Sequence, residues 1–140
     1  MNILSIETGV VLAGVGQLIL VAASAVIPRC LDWKGPLAVL PLLMRQLFWT
    51  YAGYILGMHL FFGLISVFGT QLLLDDSPQA AILCGLMMTW WLVRIGLQFC
   101  CFDRKGIPQT RFNILAEVLL VLLFLFLTIV YGLALFTNLN

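Results

Sequence analysis

From Val118 to Phe136 the sequence is VLLVLLFLFLTIVYGLALF, a stretch without a charged residue. A helix needs about 20 consecutive apolar residues to cross the hydrocarbon core of a bilayer, which is ~30 Å thick. In that core the backbone must satisfy its own hydrogen bonds, and this stretch lacks the apolar-polar alternation of a barrel strand. It therefore predicts a transmembrane helix.

Three further segments have the same character. Residues 8–28 and 46–74 carry no charge, and residues 77–102 carry only Arg94. Each is long enough for one crossing and too short for two. The sequence therefore predicts an all-α integral membrane protein, a four-transmembrane-helix bundle that forms a single membrane domain over residues 1–140. The helices are predicted near residues 8–28, 46–70, 79–101 and 113–136.

Composition points to the same class. Hydrophobic residues make up 63% of the chain and charged residues 9%, against about a quarter charged in a soluble domain. Lipid must therefore solvate much of the surface. The net charge of +1 and the spread of the basic residues over two connections give no electrostatic support for nucleic-acid binding.

Lysine and arginine are confined, with the exception of Arg94, to two of the three connections between the apolar segments. The second connection holds Asp75 and Asp76 instead. Because cytoplasmic loops carry the excess of Lys and Arg, we expect the first and third connections in the cytoplasm, the N- and C-termini outside, and the protein in a cell (inner) membrane. The basic residues are Arg29, Lys34 and Arg45 in the first connection and Arg104, Lys105 and Arg111 in the third.

The connections also contain signals for turns and helix starts. Asp76 and Ser77 are the two candidate N-caps of the third transmembrane helix, since both side chains accept hydrogen bonds from helix N–H groups. The apolar segment 37–44 is too short to span the membrane. It is predicted either to lie in the interface or to extend the second helix inward, with a kink at Pro41.

Two charges fall inside the predicted hydrophobic zone. At 1.5 Å per residue, Arg94 lies ~12 Å and Glu117 ~8 Å from the cytoplasmic edge. A lone charge there costs about 2.5 to 3.5 kcal/mol, and the short third connection makes their helices antiparallel neighbours. An Arg94–Glu117 ion pair is the favoured arrangement, with the Tyr54 hydroxyl, ~13 Å deep, as a further partner. Snorkelling of Arg94, or its use in binding a substrate or ion, are the alternatives.

A second polar layer is predicted near mid-membrane. Gln17, His59 and Thr89 lie ~18 to 21 Å from the cytoplasmic edge by the same count, so their side chains can meet. His59 is the only histidine. A structural hydrogen bond is its favoured role. Proton handling and axial ligation of a haem or pigment are the alternatives, but no second histidine or Cys-x-x-Cys-His motif accompanies it.

Glycine, tyrosine and cysteine positions complete the candidate sites. Gly53 and Gly57 form a GxxxG pair, a sign of close helix packing within the chain or between chains. Tyr131 is predicted to belong to the aromatic belt at the outer interface. The four cysteines include no Cys-x-x-Cys pair, so neither a redox site nor a metal site is predicted.

No nucleophile with a base, metal cluster or phosphate loop is recognisable, so an enzyme is the least favoured class and no cofactor is expected. We expect a small multi-pass protein that serves as a non-catalytic accessory or scaffold subunit. Its expected partners are the lipid bilayer and other membrane subunits or further copies of itself. The alternative is a transporter or channel subunit for a proton, an anion or a small molecule. A continuous wet cavity favours transport, and a dry bundle with an exposed GxxxG surface favours the subunit.

Single cysteines in a cysteine-free background test the predicted orientation. Because both basic connections are expected in the cytoplasm, Lys34→Cys and Gly106→Cys should be protected from an impermeant maleimide applied outside intact cells, while Asp75→Cys should react. Labelling after permeabilisation is the control for the reactivity of each position. The opposite labelling pattern would contradict the orientation.

Overall fold

The computed structural model describes residues 3–30, 32–101 and 111–139. These residues are all-helical in their regular structure, and four of the helices are long and apolar enough to cross a membrane. The four predicted apolar helices are thus confirmed. The helices are α1 (Ile3–Cys30), α2 (Lys34–Ala38), α3 (Leu42–Phe68), α4 (Thr70–Leu73), α5 (Pro78–Cys100) and α6 (Arg111–Asn138).

The start of α3 differs from its prediction. The sequence placed this start after Arg45, where the charge-free segment begins, whereas α3 begins at Leu42 and holds Arg45 in its first turn. A long basic side chain is tolerated there because it can carry its charge to the headgroup layer while its stem stays on the apolar helix. A charge therefore marks the edge of the hydrophobic zone better than it marks the end of a helix.

Pro41 stands before α3 and does not kink it. Its ψ of 145° is extended, and the Arg45 N–H donates to the Pro41 carbonyl as the first backbone bond of the helix. Proline suits a position ahead of a helix because no N–H is required of it there. Segment 37–44 is therefore divided between the end of α2 and the start of α3, with Pro41 as the break.

Of the two candidate N-caps of α5, Ser77 is the one used. Ser77 Oγ accepts a hydrogen bond from the Ala80 N–H at 3.1 Å, and Pro78 occupies the first turn. Asp76 instead adopts a left-handed φ of 56°, and its N–H donates to Asn138 Oδ1 at 3.1 Å. The turn between α4 and α5 is thereby tied to the last turn of α6.

The long helices form two antiparallel pairs, α1 with α3 and α5 with α6. Glycine allows the first pair to close: a Cβ on Gly14 would lie 2.8 Å from Ser66 Cβ, and one on Gly63 would lie 2.8 Å from Leu18 Cδ2. Both values are too short for real Cβ atoms, so the two backbones approach as only glycine permits. Helix α1 also packs on α6, which joins the pairs, whereas α3 and α5 meet through side chains.

The buried core is confined to one half of the bundle. We call the end with the α4–α5 turn (residues 74–77) the acidic end, and the end with residues 29–45 the basic end. In α3 none of the residues 42–58 is buried, and in the described part of α6 the first buried side chain is Phe124. Lipid solvates apolar side chains about as well as another helix does, so the half toward the basic end needs no tight core. We call this part the basic half.

Alanine at Gly14 and at Gly53 tests the close approach of α1 and α3. Gly14→Ala should destabilise the isolated chain by about 1 to 3 kcal/mol, because overpacking a tight contact forces backbone shifts. Gly53→Ala is the matched control. Its Cβ would meet no other described element within 4 Å, so the change should be neutral or slightly stabilising. Thermal unfolding in detergent measures both. Equal losses of stability from the two substitutions would contradict the close approach of α1 and α3.

Candidate functional site

His59 lies in an aromatic cluster between α3 and α5. It is buried, and its Nε2 accepts a hydrogen bond from Trp90 Nε1 at 3.2 Å. Its ring stacks on Trp91 with centroids 4.8 Å apart and planes 26° apart. An indole N–H is only a donor, so His59 Nε2 must present its lone pair and the ring proton of the neutral imidazole belongs to Nδ1. The Trp90 bond therefore already uses the nitrogen that most often ligates a metal or haem.

The aromatic stack leads from His59 to Arg94. Trp91 stacks in turn on Phe124, at 5.3 Å and 24°, and the Arg94 guanidinium carbon lies 5.2 Å from the centroid of the Phe124 ring. That distance is within the range of a cation–π contact, which gains strength when the cation is desolvated. Arg94 is half-buried beside this ring. The ring thus offers the Arg94 charge a partner inside the apolar zone.

Gln98 connects Arg94 with Glu117. Arg94 Nη1 donates to Gln98 Oε1 at 3.4 Å, and Gln98 Nε2 donates to Glu117 Oε1 at 3.4 Å. The structure therefore brings the two predicted charges into one hydrogen-bonded chain, with an amide relaying between them. Gln98 was not among the residues predicted from the sequence. Its position four residues after Arg94 places it on the same helix face, but its bond to Glu117 depends on the packing of α5 against α6.

The second polar network joins α1, α3 and α6. Gln17 Nε2 donates to the Tyr131 hydroxyl, which lies 2.7 Å from Ser66 Oγ. Ser66 Oγ donates to the Phe62 carbonyl at 2.7 Å, so its one proton is used and Tyr131 must donate to Ser66. The chain of donors therefore runs from Gln17 through Tyr131 and Ser66 to the backbone of α3.

Tyr131 does not lie where the sequence predicted it. It was expected in the aromatic belt at the outer interface, but its side chain is fully buried and α6 continues for two turns beyond it, to Asn138. The prediction failed because a tyrosine near the end of an apolar run is typical of a belt. Gln17 was assigned to the mid-membrane layer, so the residue count gave no sign that it would meet Tyr131; the contact depends on how α1 packs on α6.

Thr89 and Tyr54 are not brought into either network by the structure. Thr89 is exposed and its Oγ1 donates to the Gly85 carbonyl of its own helix at 2.8 Å. Tyr54 is 69% exposed. The expected layer of Gln17, His59 and Thr89 is therefore divided, because equal depth does not place residues on facing sides of their helices.

Gly53 and Gly57 lie on an open surface of α3. Within the part of the chain that the structure describes, a Cβ at either position would meet no other element within 4 Å, in contrast to Gly14 and Gly63. The same surface forms a shallow groove. The sequence left open whether this GxxxG pair packs within the chain or between chains. Within the chain, the close approach of α1 and α3 is made by Gly14 and Gly63 instead. The groove is lined by Trp49, Thr50, Gly53, Tyr54, Gly57 and Met58.

Cys84 has a structural environment at the acidic end. Its Sγ donates to the Leu73 carbonyl at 3.4 Å, and the Asn138 amide donates to the same carbonyl at 2.8 Å. Cys100 and Cys101 are exposed at the end of α5. Over the described ranges, no group of three or more His, Cys, Asp or Glu residues could hold a metal ion.

Two buried polar atoms have no hydrogen-bond partner among the described residues. They are Gln17 Oε1, an acceptor, and Trp91 Nε1, a donor. Each costs free energy in an apolar interior, by about 1 to 3 kcal/mol on mutational data. Both belong to the networks just described, which makes these networks the chemically distinctive part of the bundle.

Comparison of the chain with protein-family models, with curated proteins and with solved structures finds no match.

Substitution of both charges tests the Arg94–Gln98–Glu117 chain. Glu117→Gln should destabilise the protein because it removes the negative charge that compensates Arg94, and an added Arg94→Gln should recover part of the loss. We expect a coupling free energy of about 1 kcal/mol between the two positions. Thermal unfolding in detergent of both single variants and the double variant gives this value. Strictly additive effects would show that the two charges act separately.

Proposed function

We propose that this chain is a non-catalytic accessory or scaffold subunit of a membrane assembly. The observation that carries the proposal is the open α3 surface at Gly53 and Gly57. Association of helices in lipid depends on van der Waals packing and interhelical hydrogen bonds, because apolar burial brings no gain over acyl chains. A pair of glycines that no described element of the chain contacts therefore suits a helix from another chain.

The α1–α3 contact combines glycine packing with an interhelical hydrogen bond within the molecule. Gly14 and Gly63 allow two backbones to meet, and the hydroxyl of Ser66 beside them takes part in an interhelical hydrogen bond. The Gly53–Gly57 surface repeats this combination, since the hydroxyl-bearing Tyr54 lies in the same groove. A phenol hydroxyl at that depth gains from a partner that lipid cannot offer.

The packing between the two polar networks also supports a subunit over a transporter. Two turns of α3 separate His59 from Ser66, and Phe62 lies between them with no exposed surface. Trp91 is likewise fully buried against His59 and Phe124. Large apolar rings thus fill the space that a wet path between the networks would need.

The proposed orientation follows from the basic residues. We place the basic end of the bundle in the cytoplasm and the acidic end, with both termini, outside the cell membrane. The Gly53–Gly57 surface then lies in the cytoplasmic half of the bilayer. Its partner is accordingly a transmembrane helix, of another subunit or of a second copy.

A transporter or channel subunit is the second candidate. The observation in its favour is the half-buried chain of Arg94, Gln98 and Glu117, since charged groups within a membrane often mark the path of an ion or proton. Under this alternative, His59 and the Gln17–Tyr131–Ser66 chain would continue that path.

Leucine at Gly57 tests the subunit proposal, with Gly96→Leu as the matched control. A Cβ added at either glycine would meet no neighbouring side chain or helix of the described residues within 4 Å, so both variants should keep the fold of the chain. Gly57→Leu should weaken association by about tenfold or more, because a loss of ~1.4 kcal/mol of packing corresponds to that factor. Gly96→Leu should leave it unchanged. The readout is the recovery of native-membrane partners, and of a second copy carrying a different tag, in mild detergent.

Equal recovery of partners with both variants would contradict the use of the α3 surface. In that event, flux measurements in liposomes examine the alternative. A proton or anion flux that His59→Gln abolishes would support transport, because an amide does not titrate near neutral pH.

A further inference from the structure

A second distinctive surface lies at the basic end, where α1 turns into α2 and α3. Trp33 stands edge-on to Phe48 with ring centroids 5.8 Å apart, and Phe48 stands edge-on to Trp49 at 5.6 Å. We call these three rings the aromatic clasp. They hold the α1–α2 turn against the first turns of α3. Trp49 also lines the groove at Gly53 and Gly57 that carries the proposed function, but none of the described residues that line this groove is basic.

Three basic residues lie close to the rings of the clasp along the chain. Arg29 follows Pro28, whose carbonyl accepts the Trp33 N–H at 3.1 Å. Lys34 follows Trp33 directly, and Arg45 lies one helical turn before Phe48. Each cation is therefore next to one part of the clasp.

These cations are balanced by little negative charge. Asp32 is the one acidic residue between positions 29 and 45. Arg29 and Lys34 are exposed, and none of the three cations is held by an ion pair or side-chain hydrogen bond within the described residues. Their positive charge is thus available to a ligand.

The start of α3 adds to the positive potential. Pro41 supplies no side-chain cap, and the first backbone hydrogen bond of the helix belongs to Arg45. The N–H groups of residues 42–44 are therefore directed to the basic end, where the helix dipole favours a negative group. This contribution supplements the three cations.

Apolar side chains adjoin the cations on the same segment. Val39, Leu42 and Leu43 are exposed, by 85%, 61% and 64%. An acidic protein segment would complement the cations and leave these side chains unmatched. A negatively charged amphiphile complements both, because its headgroup meets the cations while its acyl chain meets the apolar side chains.

We propose that the aromatic clasp and Arg29, Lys34 and Arg45 form a binding site for the headgroup of an anionic phospholipid. The phosphate binds the three cations, and the rings of Trp33 and Trp49 lie at headgroup level, where tryptophan is enriched. Basic side chains near a membrane surface attract anionic lipids in this way. The site selects the lipid by charge and holds it by the adjoining apolar segment.

Lipid titration of the purified chain tests the site. The probes are phosphatidylglycerol and phosphatidylcholine with identical acyl chains, added to the protein in neutral detergent and counted as bound lipids by native mass spectrometry. The variant Arg29→Gln/Lys34→Gln/Arg45→Gln should lose affinity for phosphatidylglycerol by about fivefold for each charge removed, on the order of 100-fold in all. Its affinity for phosphatidylcholine should change little.

The matched control is Arg104→Gln/Lys105→Gln/Arg111→Gln, which removes the same number of charges from the other basic connection. It should keep most of the preference for phosphatidylglycerol. Circular dichroism verifies that both variants are folded, and if the first triple variant is not, Lys34→Gln against Lys34→Arg replaces it. Equal losses in the two triple variants would overturn the proposal, since they would show a general charge effect. An unchanged affinity in the first variant, or equal binding of both lipids by the native chain, would overturn it as well.

Discussion

A polar side chain in hydrocarbon has no water to bond with, so its partner must come from the protein. Tyr131 meets this constraint by binding Gln17 of α1 and Ser66 of α3, so that one hydroxyl of α6 is shared by three helices. An interhelical hydrogen bond contributes only about 0.6 kcal/mol on average. Its position matters more than its strength: Ser66 also faces Gly14 across the closest helix contact. Close packing and hydrogen bonding therefore favour the same register of α1 on α3.

The aromatic cluster packs two helices, α3 and α5, that do not approach each other closely. Where α1 and α3 close through glycine, α3 and α5 stay further apart and large rings bridge the space. His59 and Phe62 reach from α3, and Trp90 and Trp91 reach from α5. An imidazole among these rings needs a partner for its lone pair, and the Trp90 N–H provides one. The His59–Trp90 hydrogen bond thereby joins α3 to α5.

The sequence predicted the four long apolar helices and most of their boundaries, because the cost of placing a charge in hydrocarbon is large against any local propensity. It predicted the details of the site less well. A count of residues gives the depth of a side chain but not the direction in which its helix faces, so Gln17, His59 and Thr89 were grouped although they lie on different contacts. Gln98 was overlooked because a neutral amide near a helix end carries no signal of its own. Its relation to Arg94 and Glu117 becomes evident only when α5 and α6 are packed together.

The two halves of the bundle differ in how they satisfy their polar groups, and this difference bears on function. In the half toward the acidic end, hydroxyl, amide and thiol groups find partners on neighbouring helices, and the rings between them are fully buried. The basic half has no buried residue over 42–58 of α3, yet it contains Arg94, Gln98, Glu117 and the open glycine pair. Among the described residues, the tightly packed core lies in the first of these halves. A chain that needed only to fold would gain nothing from charges and glycines in the second half, where a simple run of leucine would be solvated equally well by lipid. The open half is therefore where we expect contacts with other molecules to be made.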